Sequence, residues 1–280
     1  MRIAYQGEPG AYSEAAGLKF HAAADLMPNP SFEDVFKAVL SGTATHGILP
    51  VENSIGGTIH RNFDLLAEND LSIVAEVELR VVHCLLAYPG TKQAALRRVY
   101  SHPQALAQCE QFLRTLPNIE IVATYDTAGS AKLIRDGALK DTGAIASARA
   151  ADIFGLEVLQ AGIQDFELNL TRFVIVARQT ETVPDADRTT ILFALPNQPG
   201  SLFKALSVFA LRDIDLTKLE SRPIRGRPWE YMFYADLSVG RQEMRCARAL
   251  VHLAEFAKWV RTLGSYRRWK EGSSELDTSL

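Results

Sequence analysis

The sequence predicts a two-domain α/β chain, and three observations carry that prediction. Its 280 residues exceed what one ordinary hydrophobic core organises and fall short of three. Up to about residue 177, short β-rich runs alternate with amphipathic helical patterns, the order of a domain with mostly parallel sheets. The stretch 178–188 is polar, contains Pro184 and lacks periodicity, which marks a linker. Behind it the order becomes β-α-β-β-α-β, the ferredoxin-like arrangement.

In chain order, 3–6 reads as a strand that feeds a helix over 13–20. Apolar residues at helical spacing place a second helix over 32–40; strand 47–51 then precedes a helix over 59–67. The segment 71–86 is one long β-rich region. Three strand–helix units follow: 98–100 with 104–113, 121–125 with 128–135, and 144–146 with 148–154. Strand 173–177 closes the first domain. The second takes strand 190–195, helix 201–211, strands 216–222 and 231–237, helix 247–262 and a last strand at 265–268. The polar, Ser/Glu-rich stretch 270–280 reads as a frayed tail.

Composition narrows the function classes. Apolar residues make up 47% and charged residues 22%, a globular balance. Lys+Arg 30 against Asp+Glu 33 gives a net charge of −3, so no overall field captures nucleic acid or an anionic membrane. No apolar run approaches the roughly 18 residues of a membrane span. The N-terminus enters a strand-like run at once, without a signal-peptide pattern. Cys84, Cys109 and Cys246 are odd in number and set in apolar surroundings, which reads as free thiols in a reducing cytoplasm. His21, His46, His83 and His252 lack metal-ligand spacing, and no metal is expected.

The strand exits of the first domain share a chemistry. Ser13 follows a Gly/Pro turn; Asn53-Ser54 ends a strand before Gly56-Gly57; Ser101 precedes His102-Pro103; Thr127 and Ser147 start the next helices. Each alone is an ordinary helix cap. Together they place helix N-termini and hydroxyls around a crevice suited to a small carboxylate. No GxGxxG, GxxxxGK[ST] or GxSxG follows a strand, so dinucleotide, P-loop and α/β-hydrolase readings lose support.

The motifs Gly7-Glu8-Pro9-Gly10-Ala11-Tyr12-Ser13, Pro50-Val51-Glu52-Asn53-Ser54, Ser101-His102-Pro103-Gln104, Asp126-Thr127-Ala128-Gly129 and Asn169-Leu170-Thr171-Arg172-Phe173 resemble the prephenate dehydratase family. Asn197-Gln198-Pro199-Gly200-Ser201-Leu202 and Glu220-Ser221-Arg222-Pro223 resemble the phenylalanine-binding ACT domain of those enzymes. The family includes arogenate dehydratases, which Ile59–Asp64 and Cys84-Leu85-Leu86 resemble. The resemblance implies a two-lobed, periplasmic-binding-protein-like catalytic domain over 1–178, with lobes near 1–78 plus 165–178 and 79–164. It further implies a linker over 179–188 and a ferredoxin-like ACT domain over 189–269.

The reaction so implied removes water and carbon dioxide from prephenate to give phenylpyruvate, or from arogenate to give phenylalanine. It needs no cofactor, because loss of the ring carboxylate supplies the electrons and aromatisation drives the step. By resemblance, Thr171 gives a proton or hydrogen bond to the departing hydroxyl. Arg172 suits a substrate carboxylate, with an inter-lobe salt bridge as the competing role. Phe173 packs beneath the pair and borders the substrate. Ser13, Asn53, Ser54, Ser101, Gln108, Thr127 and Ser147 are expected to bond substrate oxygens. His102 has a structural role in the helix start as its alternative to a catalytic one.

In the second domain the resemblance implies phenylalanine binding by Asn197, Gly200, Ser201, Leu202, Glu220, Ser221, Arg222 and Pro223 at a homo-oligomer interface, with allosteric control of activity. Glu220 faces the ligand ammonium in this reading, or pairs on the surface in the alternative. Gly200-Ser201-Leu202-Phe203 departs from the usual Gly-Ala-Leu-Val of the family while keeping the turn glycine. Two rival classes stay open: a ligand sensor without turnover, and a hydrolase of a small ester or lactone.

Overall fold

Apolar runs too continuous for a half-exposed sheet set the first layer of the structure. Ile3, Ala4 and Tyr5 in one strand and Ile48, Leu49 and Val51 in another are almost completely buried, as strands covered on both faces require. The computed structural model describes residues 1–178, 183–224 and 226–270. Its elements up to the linker are β1 (Arg2–Gln6), α1 (Tyr12–Phe20), β2 (Asp25–Asn29), α2 (Phe32–Ser41), β3 (His46–Asn53), β4 (Gly57–Thr58), α3 (His60–Glu68) and β5 (Ser72–Arg80). There follow β6 (Cys84–Ala87), β7 (Arg98–Ser101), α4 (Pro103–Gln108), α5 (Glu110–Arg114), β8 (Glu120–Ala123), α6 (Thr127–Asp136), β9 (Thr142–Ala146), α7 (Ala148–Phe154), β10 (Glu157–Ala161) and β11 (Leu170–Ala177).

One compact unit comprises residues 1–63 and 77–173, and it has two lobes. In the first, the strands run β11-β3-β1-β2, with β4 on β3. In the second they run β10-β6-β9-β7-β8. Local chemistry starts and stops the helices as the sequence suggests. Ser31 Oγ accepts from Asp34 N at 3.2 Å to open α2, and Gly42 at φ 81° closes it.

Several boundaries differ from the sequence reading. The β-rich run 71–86 divides into β5 and β6, which join different sheets. The helix over 104–113 breaks at Cys109, whose ψ of 25° ends α4 and opens α5. Strands β2 and β10 carry no alternation that would mark them. Both sit at sheet edges, where β2 tolerates Pro28. The second lobe is less parallel than expected, because β6 pairs antiparallel with both β9 and β10.

The other compact unit, within the described residues, comprises 64–76 and 174–270. It holds β12 (Arg188–Ala194), α8 (Ser201–Ala210), β13 (Leu216–Pro223), β14 (Tyr231–Leu237), α9 (Met244–Ala254) and β15 (Trp259–Tyr266). The β-α-β-β-α-β order is present, with the sheet running β13-β14-β12-β15 and β5 beside β15. Helix 247–262 of the sequence reading stops at Ala254. Trp259, Val260 and Thr262 favour a strand and pair instead with Ala194, Phe193 and Ile191. Ile191, Phe193, Phe209, Leu237, Cys246 and Leu253 form the core between sheet and helices. Of the expected linker, residues 179–182 lie outside the described residues, as does the tail over 271–280.

Charged contacts explain why 64–76 packs with this unit, although the sequence reading ran the first lobe to 78. Arg222 binds both carboxylate oxygens of Asp64 at 3.2 and 2.9 Å. Arg261 donates to the carbonyls of Ala67 and Asn69. Arg188 pairs with the buried Glu76, whose second oxygen accepts from Trp269 N at 3.0 Å. Removing one partner of a buried pair leaves the other charge uncompensated. Glu76→Gln is therefore expected to lower the unfolding free energy by roughly 3–5 kcal/mol, read as a fall in the urea midpoint.

Candidate active site

The site is assembled from the ends of β3 and β11 and from α4. Strand β3 ends at Asn53, whose Oδ1 accepts from the amides of Ile55 at 3.1 Å and Gly56 at 2.7 Å. Backbone N–H groups can only donate, so this contact fixes which end of the Asn53 amide is oxygen. Gly56 lies close to Gln104, whose side chain would have to move for any Cβ there, 2.1 Å from its Nε2. Asn53 Nδ2 then points the other way and donates to Thr171 Oγ1 at 2.9 Å and Asn169 Oδ1 at 2.7 Å.

The same polarity propagates through the neighbours. Gln108 Nε2 donates to Asn53 Oδ1 at 3.2 Å, which leaves Gln108 Oε1 to accept from Asn169 Nδ2 at 2.9 Å. His83 Nε2 lies 2.9 Å from that same oxygen and must carry the hydrogen. Burial pushes the His83 pKa below its ordinary 6.5, against a smaller opposing effect of the Gln108 bond. The ring is thus neutral, and its bare Nδ1 faces the Tyr12 hydroxyl at 3.0 Å. That hydroxyl is also 2.7 Å from Val82 O, so one proton serves two acceptors.

Thr171 stands at the end of this chain. Its oxygen accepts from Asn53, and among the described residues its hydroxyl proton has no acceptor. Thr171 and Phe173 line a cavity of about 480 Å³ together with Ser13, Asn53, Gln108 and Thr127. That volume suits a small organic acid. Contacts across the two lobes close the cavity. Ser147 Oγ donates to Gly10 O at 2.7 Å, Glu8 N to Asp126 Oδ2 at 2.9 Å, and Arg149 Nε to Glu14 Oε2 at 2.8 Å. Gly10 has φ 90°, and a Cβ there would meet Ala150 Cα at 2.7 Å.

Other expected site residues are placed elsewhere. Arg172 alternates with Thr171 and Phe173 along β11, so it occupies the opposite face. It pairs with Glu52 at 3.1 Å, within one lobe rather than between two, and does not line the cavity. Ser101 is buried and donates to Ile145 O at 2.6 Å, while His102 Nδ1 caps α4 in its place. Ser147 caps α7 and latches the lobes. Ser54 bonds Leu168 O and Leu170 N. Tyr12, His83 and Asn169 join the site without having been assigned to it. For Asn169 the only signal was its place in the Asn-Leu-Thr-Arg-Phe motif.

In the second unit, Gly200 at φ 80° opens α8, with Asn197 and Leu202 exposed beside it. Glu220–Pro223 lie on the edge strand β13, where Arg222 is engaged by Asp64. Among the described residues no group of three His, Cys, Asp or Glu side chains is placed to hold a metal ion.

The family model of prephenate dehydratase matches residues 3–181, and that of the ACT domain matches 189–238. The chain belongs to the prephenate dehydratase family. It is 50% identical to "arogenate dehydratase/prephenate dehydratase 6, chloroplastic" of Arabidopsis thaliana, across 95% of this chain and 68% of the plant protein. Its structure is similar to that of a prephenate dehydratase from Arthrobacter aurescens in complex with L-Phe, with TM-score 0.89, 29% identity and coverage of 100% and 94%. It is also similar to GqqA, described as a novel type of quorum quenching acylase, with TM-score 0.88, 37% identity and coverage of 97% and 100%.

The neutral His83 carries a testable cost. Below about pH 6.5 the unfolded histidine takes up a proton that the buried one resists, so stability falls as pH drops. His102, also lowered by burial, adds to the same trend. Between about pH 7.5 and 5.5, His83→Gln is expected to lose about 1 kcal/mol less than wild type, by urea unfolding.

Proposed function

We propose that this chain is a prephenate dehydratase, converting prephenate to phenylpyruvate, that also accepts arogenate and forms L-phenylalanine. The ring carboxylate leaves as carbon dioxide, and its bonding electrons enter the ring as the C–O bond to the ring hydroxyl breaks. Thr171 delivers its proton to the departing oxygen, so that water leaves, and recovers a proton from solvent. One observation carries this reading: the Thr171 oxygen accepts from Asn53 and lines the cavity, with no acceptor for its proton among the described residues. Positioned proton donation contributes about 10²–10⁴ in rate. With no Lys or Arg among the described residues lining the cavity, substrate carboxylates fall to Ser13, Thr127 and the amides that open α1 and α6.

Regulation belongs to the same proposal. L-phenylalanine binds between the loop that opens α8 and the edge strand β13, and a partner copy completes that site. The apolar side chains Phe203, Leu211 and Val251 are exposed on this unit, as an assembling surface would have them. Cys84, Cys109 and Cys246 are free and buried, which supports a reducing compartment such as the cytoplasm. No helix among the described residues is long and apolar enough to cross a membrane.

The similarity to a protein described as an acylase supports a second reading, hydrolysis of a small acyl compound. Thr171 is a poor nucleophile for it, because no base among the described residues takes its proton. One assay set separates the two. Wild type is expected to turn over prephenate, and Thr171→Val to lose about 10³ in kcat while retaining any acyl hydrolysis. A Thr171→Val variant with more than about a tenth of wild-type dehydratase kcat would overturn the first reading. Adding L-phenylalanine to the wild-type assay tests the regulatory part.

A further inference from the structure

The charge of the cavity wall has a use that the dehydration step alone does not require. Two carboxylates line it, Glu33 and Asp126. Glu33 is engaged by Arg61 through Nε and Nη2, and its own backbone amide, followed by that guanidinium, holds its carboxyl below the usual range. Asp126 differs. It is 9% exposed and has no ion-pair partner among the described residues. Its Oδ2 accepts from Glu8 N at 2.9 Å, and its Oδ1 has only the Thr127 hydroxyl at 3.5 Å.

An ionised carboxylate in such a place is costly to desolvate unless a cation meets it. The α6 N-terminus offsets part of that cost. His83 and His102 line the same cavity; burial holds both toward the neutral form, and at His102 the Asp126 charge opposes it with a smaller effect. The chain thus offers Asp126 no full counter-charge from the cavity wall. A substrate can.

Resting on the dehydratase reading above, we infer that Asp126 is the specificity-determining residue that receives the side-chain ammonium of arogenate. The two substrates share the ring, its carboxylate and its hydroxyl, and differ only in a ketone against an ammonium. Prephenate offers Asp126 nothing to bind, and its side-chain carboxylate is held by the Ser13 and Thr127 hydroxyls alone. Arogenate brings an ammonium to that carboxylate and turns its α-carboxylate toward the Ser13 and Thr127 hydroxyls. The reacting hydroxyl, on the ring carbon opposite the side chain, then reaches toward Thr171. Asp126 thereby adds to arogenate binding without touching the bond that breaks.

The test is the ratio of kcat/KM for arogenate to kcat/KM for prephenate. Asp126→Asn keeps an oxygen for Glu8 N, so the lobe contact survives while the charge goes. The ratio is expected to fall roughly 10- to 100-fold, the worth of one charge-assisted hydrogen bond. Asp126→Glu, which restores the charge one methylene further out, is expected to recover part of the ratio. Equal losses for both substrates, or an unchanged or raised ratio, would make Asp126 a lobe latch only and overturn the assignment. Wild type that turned over neither substrate would instead remove the dehydratase reading, and this inference with it.

Discussion

The orientation of one amide, that of Asn53, governs the chemistry of the site. Two backbone N–H groups fix its oxygen, so its nitrogen must donate to Thr171. A hydroxyl has one proton and can accept as well as give. Asn53 donates here, so the Thr171 oxygen accepts and its own proton is left to give elsewhere. Gln108, Asn169 and His83 follow the same direction, each bonded to the next. A threonine is a very weak acid, and the proposed proton donation rests on its placement.

That placement depends on the two lobes meeting. Asn53 and Thr171 come from one sheet and Gln108 from the helix behind the other. Short contacts hold those layers together: Gly10 beside Ala150, Ser147 on the Gly10 carbonyl, and Asp126 on the Glu8 amide. Small residues at these points are therefore positional requirements. The residues that open α1 and α6, Ser13 and Thr127 among them, line the cavity, and in the proposed function their amides and hydroxyls take the role that lysines and arginines fill in many anion sites. Of the two carboxylates that line the cavity among the described residues, Glu33 has an ion-pair partner in Arg61 and Asp126 has none.

Much of this was legible in the sequence, and the limits have physical causes. Continuous apolar runs and capping residues located most elements, and the motif Asn169–Phe173 marked the strand that brings Thr171 and Phe173 to the cavity. The pairing of Arg172 with Glu52 is invisible in the motif, because a side chain's face depends on strand register, which puts Thr171 and Phe173 on one side and Arg172 on the other. Ser101 and Ser147 read as substrate contacts because a hydroxyl at a strand exit looks alike whether it meets a ligand or a carbonyl. His83 was passed over, since its role needs Tyr12 and Gln108 beside it and neither is near in sequence. The helix expected over 247–262 shows the same limit, because its second half found a strand partner in β12.

Reversing the Asn53 amide tests the central claim directly. Asn53→Asp preserves shape but replaces the donor facing Thr171 with an acceptor, which captures the threonine proton. The expected result is a kcat reduced about 10²-fold or more, with a much smaller change in KM and a far-ultraviolet spectrum like that of wild type. A folded Asn53→Asp enzyme with near-wild-type kcat would contradict the account.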